Sequence, residues 1–155
     1  MISLPVPEQK DALAHGIFRH FDARAKGAQD KHGIPKEYRL IEDMDGAIAE
    51  AAYCKFRGIP WEKRINTDPH APDVGDNTQI RSTRWPDGRL RLQKDDLDHQ
   101  DFVLVRQRVC FDVVGYIRCW RGKEVASEEM HRDGHSALYV PTKYLKDFPE
   151  QDELF

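Results

Sequence analysis

The chain lacks the marks of several large protein classes. Its 155 residues hold no apolar run of the length, about 18 residues, that a membrane-spanning helix needs, so no such helix is expected. The opening residues, "MISLPVPEQKD", carry no basic stretch followed by an apolar one, and no secretory leader is expected. Cysteine is scarce: Cys54, Cys110 and Cys119 are odd in number and form no C-x-x-C pair. That argues against a disulfide framework or a zinc cluster, and a reducing cytoplasm is the expected setting. No glycine loop for phosphates, serine elbow or nucleotide fingerprint is present, which sets aside those chemistries. No segment repeats, and none is of low complexity.

What remains is a polar chain of single-domain length, 39% hydrophobic and 33% charged, with a formal net charge of -3. Residues 1–148 are read as one domain and 149–155 as an acidic tail. The charge is unevenly spread. Between Gln79 and Lys94, Arg81, Arg84, Arg89, Arg91 and Lys94 face Asp87 alone. A second basic group follows at Arg106, Arg108, Arg118, Arg121 and Lys123, while "DDLDHQD" and the tail are acidic. Two readings stand: a basic face for a polyanion, or a solvated hairpin edge guarded by charge.

Apolar spacing at Leu13, Ile17, Phe18 and Phe21 predicts a helix over 7–29. A second is expected over 37–57, with an interruption near Glu42–Asp45 and an end at "RGIP". "WEKRIN" is a candidate short strand. The pattern then turns to strands: "QIRSTR" and "RLRLQK" around a "WPDG" turn, "FVLVRQRV" (102–109) and "FDVVGYIRCW" (111–120). "GKEVASEEMHRDG" is read as a short helix or loop, and "SALYVPTKYL" as a closing strand and turn. The expected class is α+β, with helices flanking a central mixed β-sheet and four or five strands in a meander.

Two stretches carry candidate chemistry. In "AIAEAAYC" Glu50 is the only charge on a helix that is apolar nearly all round. A carboxylate there must be exposed on a narrow edge, paired with an arginine such as Arg57 or Arg81, or bound to a metal. In "HAPDVGDNTQIRSTR", strand alternation puts Gln79, Arg81 and Thr83 on one face. Asp73, before a glycine bend, is positioned to fold back beside that face. Asp73, Gln79, Arg81 and Glu50 are therefore expected to converge. Hard oxygen ligands hold Mg²⁺ or Mn²⁺ while leaving positions for water and phosphate. An arginine clamps phosphate in bidentate fashion but stays protonated, so it is no general base.

These residues resemble the PD-(D/E)xK nuclease superfamily: Pro72-Asp73, five residues, then Gln79-Ile80-Arg81, preceded by a helix carrying Glu50. The wider stretch from Pro72 to Ile117 is similar to small phage-encoded proteins of that type, and the resemblance covers about residues 40–145. It implies a restriction-endonuclease-like core and Mg²⁺-dependent (or Mn²⁺-dependent) hydrolysis of DNA phosphodiesters. Glu50, Asp73 and Gln79 would be metal ligands and Arg81 a phosphate contact. Gln79 stands where the superfamily has an acid, and Arg81 where it has a lysine. The alternative it implies is a non-catalytic relative, kept as a DNA- or protein-binding module in phage replication or host takeover.

Other features are secondary. Arg84, Arg89, Arg91 and Lys94, with Trp85 among them, are the candidate DNA contacts. Trp61, Trp85 and Trp120 are otherwise read as mostly core or hinge packing. His131 and His135 are four apart, but Asp133 and Gly134 favour a turn over a metal pair. Cys54 is read as a small core residue. The end of the tail, "QDELF", resembles the bacterial sliding-clamp binding peptide. Leu154 and Phe155 would fill an apolar pocket, with Gln151 fixing the register. The competing reading folds those apolar residues onto the domain.

Overall fold

Two long helices come first. In the computed structural model, which describes residues 1–27, 36–65, 68–131 and 134–149, α1 runs Val6–Ala25 and α2 runs Lys36–Arg57. Pro5 and Pro7 sit where α1 begins, and the first-turn N–H groups they lack have no intrahelical partner. The helix stops short of the expected end at 29. The second helix continues through Glu42–Asp45, where a break was expected. It ends at Gly58, whose φ of 64° closes the last turn: Gly58 N–H donates to Lys55 O (3.2 Å) and Ile59 N–H to Cys54 O (3.0 Å).

The two helices pack through small residues. The buried side of α1 is Ala12, Gly16 and His20, whereas Phe18 and Phe21 are exposed. Much of the apolar spacing that signals the helix thus lies toward solvent. The reason is close approach: a Cβ on Gly16 would lie 2.6 Å from Met44 Cα and 2.7 Å from Asp43 O. His20 Nδ1 lies 2.8 Å from Asp43 Oδ2 across the same contact.

Among the described residues, six strands and a third helix follow: β1 (Thr78–Thr83), β2 (Leu90–Leu92), β3 (Asp101–Gln107), β4 (Phe111–Arg118), α3 (Cys119–Val125), β5 (Ser127–Met130) and β6 (Ser136–Val140). They form two sheets of three. The first, in the order β1-β3-β4, is mixed, because β1 runs parallel to β3 and β4 antiparallel to it. The second, in the order β2-β6-β5, is antiparallel. The class is α+β as expected, but the strands do not form a meander. The "WPDG" turn joins no hairpin. Gly88 N–H does close a turn on Trp85 O (3.1 Å), yet the segment carries the chain from the first sheet to the second. Residues 61–65, expected to begin a strand, are irregular, and β5 lies where only a helix or loop was read.

β3 explains the arrangement. Its residues 102–105 are buried on both faces, so it needs a neighbour on each edge and a layer above and below. Val103 and Val105, with Ile80 of β1, pack against Ala49, Ala52 and Tyr53 of α2. Phe102 and Leu104, with Ile117 of β4, pack against Leu90 and Leu92 of β2 and Val140 of β6. The mixed sheet is therefore flanked by α1 and α2 on one face only. The second sheet covers the other, where α3 brings Gly122 against Leu92, Ile117 and Val140.

Gly16→Ala tests the helix contact. Alanine raises helix propensity by about 1 kcal/mol, while overpacking of this kind costs about 1–3 kcal/mol. The expected outcome of chemical denaturation is a net loss of stability, with Ala14→Ser on the exposed side of α1 close to neutral.

Candidate functional site

Glu50 sits in the part of α2, residues 47–54, that is buried on every side, and it is only 3% exposed. Its charge is answered from outside the helix. Oε1 accepts two hydrogen bonds from the Arg19 guanidinium of α1 (2.9 and 2.8 Å), and Oε2 accepts one from Trp61 Nε1 (3.3 Å). Pairing with an arginine holds, but the partner is neither Arg57 nor Arg81. The Arg57 guanidinium lies 5.2 Å from the centroid of the Phe148 ring. Trp61 is steadied by His15, edge-on at 5.4 Å, and His15 Nε2 lies 3.2 Å from Arg64 O.

Asp73 is held by the entry to β1. The N–H groups of Asp73 and Val74 both donate to Thr78 O (2.9 and 3.1 Å), closing a tight turn. Asp73 Oδ2 then accepts the Ile80 N–H at 2.8 Å. Arg64 ties the turn from outside by donating to the carbonyls of Pro72 and Gly75. Asp73 also lines a cavity of about 100 Å³, with Cys54, Ile59, Pro60, Glu62, Val74 and Gly75.

The structure thus brings Glu50 and Asp73 close enough for their charges to repel. Burial raises the Glu50 carboxyl first and the Asp73 charge second, to about 7 and against the pull of Arg19 and Trp61. Burial also raises Asp73, against the Ile80 N–H and the charges of Arg81, Arg19 and Arg64. Arg19 at Glu50, and Arg81, Arg19 and Arg64 at Asp73, leave both carboxyls above their ordinary range. The neighbouring Cys54 thiol is pushed up to about 11, by burial and then by Glu50 and Glu62, so it stays protonated and behaves as a core residue.

Gln79 does not join this pair, and Arg81 reaches it only through its charge on Asp73. In the parallel register Gln79 lies beside Phe102 and Arg81 beside Leu104, both on the face that packs against the second sheet. Alternation was read correctly, but Asp73 and Glu50 stand on the other side of β1, with Ile80. Gln79 Nε2 donates to Ala71 O (2.8 Å), and Gln100 Nε2 to His70 O (2.7 Å). Gln79 therefore pins the backbone just before Asp73, from behind. Arg81 lies 4.8 Å from the centroid of the Phe102 ring and pairs with Asp96 at 3.2 Å. The expected convergence of four residues is corrected to two carboxylates, Glu50 and Asp73, with Arg19 and Trp61.

The expected basic face is also altered. Arg84 grips both carboxylate oxygens of Asp45 (2.7 Å each), Arg89 pairs with Glu129 (2.7 Å) and Lys94 with Glu128. Arg91 is half-buried in β2, and its Nε is buried without a hydrogen-bond partner. Trp85 and Trp120 are exposed rather than packed, at 74% and 51%. His131 and His135 close a turn through their backbones, and His131 Nε2 lies 3.1 Å from the Tyr139 hydroxyl. Gln151, Leu154 and Phe155 lie outside the described residues. Among the described residues, no group of three or more His, Cys, Asp or Glu is placed to hold a metal ion. Comparison of the chain with family models, curated proteins and solved structures finds no match.

The raised carboxyl has a measurable sign. A carboxyl whose folded pKa lies above its unfolded one stabilises the fold fully below the unfolded value, and that contribution is lost as pH rises through the folded value. Lowering the pH from about 8 to about 7 reaches the Glu50 value and stays above the ordinary histidine value, about 6.5, where His15, shifted downward, acts in the opposite sense. The melting temperature is expected to rise over that window, and the rise to be smaller in Glu50→Gln. Equal slopes in thermal melts of the two proteins would remove Glu50 as the source.

Proposed function

We propose that this chain hydrolyses DNA phosphodiesters with a divalent cation, Mg²⁺ or Mn²⁺, held by Glu50 and Asp73 in a restriction-endonuclease-like core. The observation that carries this reading is that the buried Glu50 of α2 feels the charge of the half-buried Asp73 at the entry to β1, which adds to the burial that raises it. A cation between them would relieve that repulsion. The donor set suits Mg²⁺, which is commonly held by one or two carboxylates with water and substrate phosphate completing the shell. When bound, such a cation supplies a Lewis acid for a phosphoryl oxygen and lowers the pKa of a bound water.

The chain's own residues have distinct parts in this reading. The Ile80 N–H fixes the orientation of Asp73. Arg19 holds Glu50 and shares it with the cation. Gln79 acts as a positioning residue behind the Asp73 turn, and Arg81 braces the second layer rather than clamping phosphate. Arg84, Arg89, Arg91, Lys94 and Trp85 remain the proposed DNA contacts. The ion pairs of Arg84, Arg89 and Lys94 are surface ones, worth up to about 1 kcal/mol each, so a phosphate backbone competes for these cations at low salt. A phage-type role inside a bacterial cytoplasm, with the tail on a sliding clamp, belongs to the same reading.

A second reading is favoured by one observation. Gln79 faces away from the carboxylate pair and bonds to backbone, and Arg81 pairs with Asp96, which leaves Asp73 without a second acid from β1. The chain would then be a non-catalytic DNA- or protein-binding module.

Incubation with single- and double-stranded DNA in Mg²⁺ or Mn²⁺ separates the two. Cleavage is expected, and Asp73→Ala is expected to lower it by at least about a hundredfold, since even residues outside the ligand shell carry up to that much. Undiminished cleavage in Asp73→Ala would sink the site. Mn²⁺ binding and salt-dependent DNA binding without cleavage would select the module.

A further inference from the structure

We propose that residues 59–65 form a lid over the Asp73 cavity, latched by Arg64 and lifting about Gly58. What the lid is for rests on the hydrolysis proposed above; the motion itself does not. Ile59, Pro60 and Glu62 line one side of the cavity and Asp73, Val74 and Gly75 the other, with Cys54 of α2 between them. The segment therefore lies over open space rather than packed atoms.

Side chains alone hold the lid down. Apart from the Ile59 N–H, which donates to Cys54 O, none of residues 59–65 takes part in a hydrogen bond between described backbone groups. The latch is Arg64. Glu62 keeps its guanidinium on the lid (Nε to Oε2, 2.6 Å), and the guanidinium donates across to the carbonyls of Pro72 and Gly75, on either side of Asp73. Trp61 Nε1 donates to Glu50 Oε2 (3.3 Å), and Arg64 O lies 3.2 Å from His15 Nε2. Lys63 pairs with Asp11 at the surface (2.6 Å), a contact of the weak, exposed kind. Ile59 and Ile65 are both exposed, so little apolar burial closes the segment. Segments held in this way open at a lower free energy than the core beneath them.

The backbone adds a bias toward opening. Lys63 has a φ of 52° and is the one non-glycine residue with a positive φ among the described residues. That region crowds an L side chain, and such a conformation persists only where its surroundings hold it. At the hinge end Gly58 takes a φ of 64° without that cost.

Opening has two effects on the site. The cavity, about 100 Å³, is well below the roughly 300 Å³ of the smallest ordinary ligand pockets, so a nucleotide does not fit with the lid down. Lifting residues 59–65 enlarges that space and withdraws Trp61 from Glu50 Oε2, an oxygen with no other hydrogen-bond donor among the described residues. Access for a substrate and release of a ligand oxygen are thus one motion.

Thiol labelling of the full chain tests the lid with neither cation nor DNA present. Cys54 lines the cavity at 1% exposure, and Cys119 is fully buried in the core between the two sheets. N-ethylmaleimide under native conditions, with each site followed by peptide mass, reads local opening at Cys54 and loss of the core at Cys119. Cys54 is expected to react at least about tenfold faster than Cys119, and Arg64→Ala to speed it at least about fivefold more. Trp61→Phe, which keeps the ring and loses the N–H, is expected to speed it as well. Val140→Ala, in the far core, is expected to speed Cys119 and leave Cys54 unchanged. Equal rates at the two thiols, a Cys54 rate indifferent to Arg64→Ala, or one raised by Val140→Ala overturns the lid. An unchanged rate in Trp61→Phe overturns the release of Glu50. DNA cleavage without selective labelling of Cys54 leaves the hydrolysis standing and removes the lid, and selective labelling without cleavage does the reverse.

Discussion

One buried negative charge organises the helical half of this protein. Glu50 lies in a stretch of α2 that is buried on every side and is itself only 3% exposed. Burying an ion costs several kcal/mol unless its hydrogen-bonding capacity is met. Arg19 and Trp61 meet it, and in doing so they fix where α1 lies and where the chain turns after α2. The small-residue face of α1 then becomes a geometric necessity, because the Arg19 contact accompanies a helix pair whose backbones nearly touch at Gly16. Asp73 is the one participant that opposes the arrangement, adding a second negative charge beside Glu50.

The two faces of β1 divide the work. Toward the helices, Ile80 joins the core and its N–H orients Asp73. Toward the second sheet, Gln79 binds a backbone carbonyl of the loop before the strand, and Arg81 a carboxylate of the loop before β3. A polar residue on the far face of a strand thus acts on the near face through the chain itself. This division depends on β3, whose two apolar faces require covering layers on both sides.

Much of this was legible in the residues. Both helices show in their spacing and stops, and the strands β1, β3, β4 and β6 in their β-branched and apolar runs. That Glu50 needed a partner followed from its isolation among alanines. The partner did not: Arg19 is thirty-one residues earlier, on a helix whose apolar spacing lay mostly outward. β5, "SEEM", offers no apolar residue until its end and exists because β6 supplies hydrogen bonds. The side on which Asp73 stands relative to Gln79 was beyond reach, since alternation orders residues within a strand but says nothing about a loop that approaches it. The acidic partners of Arg84 and Arg89 come from α2 and β5, and charge along a chain does not reveal who faces it.

The strand order of the second sheet has a consequence for biosynthesis. β6 is its middle strand and also the last strand among the described residues. Until residues 136–140 leave the ribosome, β2 and β5 have nothing to pair with, and Phe102, Leu104 and Ile117 have lost half of their cover. The helical layer with β1, β3 and β4 is available earlier, so the nascent chain passes through a stage that is closed on one side and adhesive on the other. Such exposed apolar sheet faces are where chaperones bind and aggregation starts. Completion of the second sheet is therefore tied to the arrival of β6, whose pairing with β2 and β5 closes it.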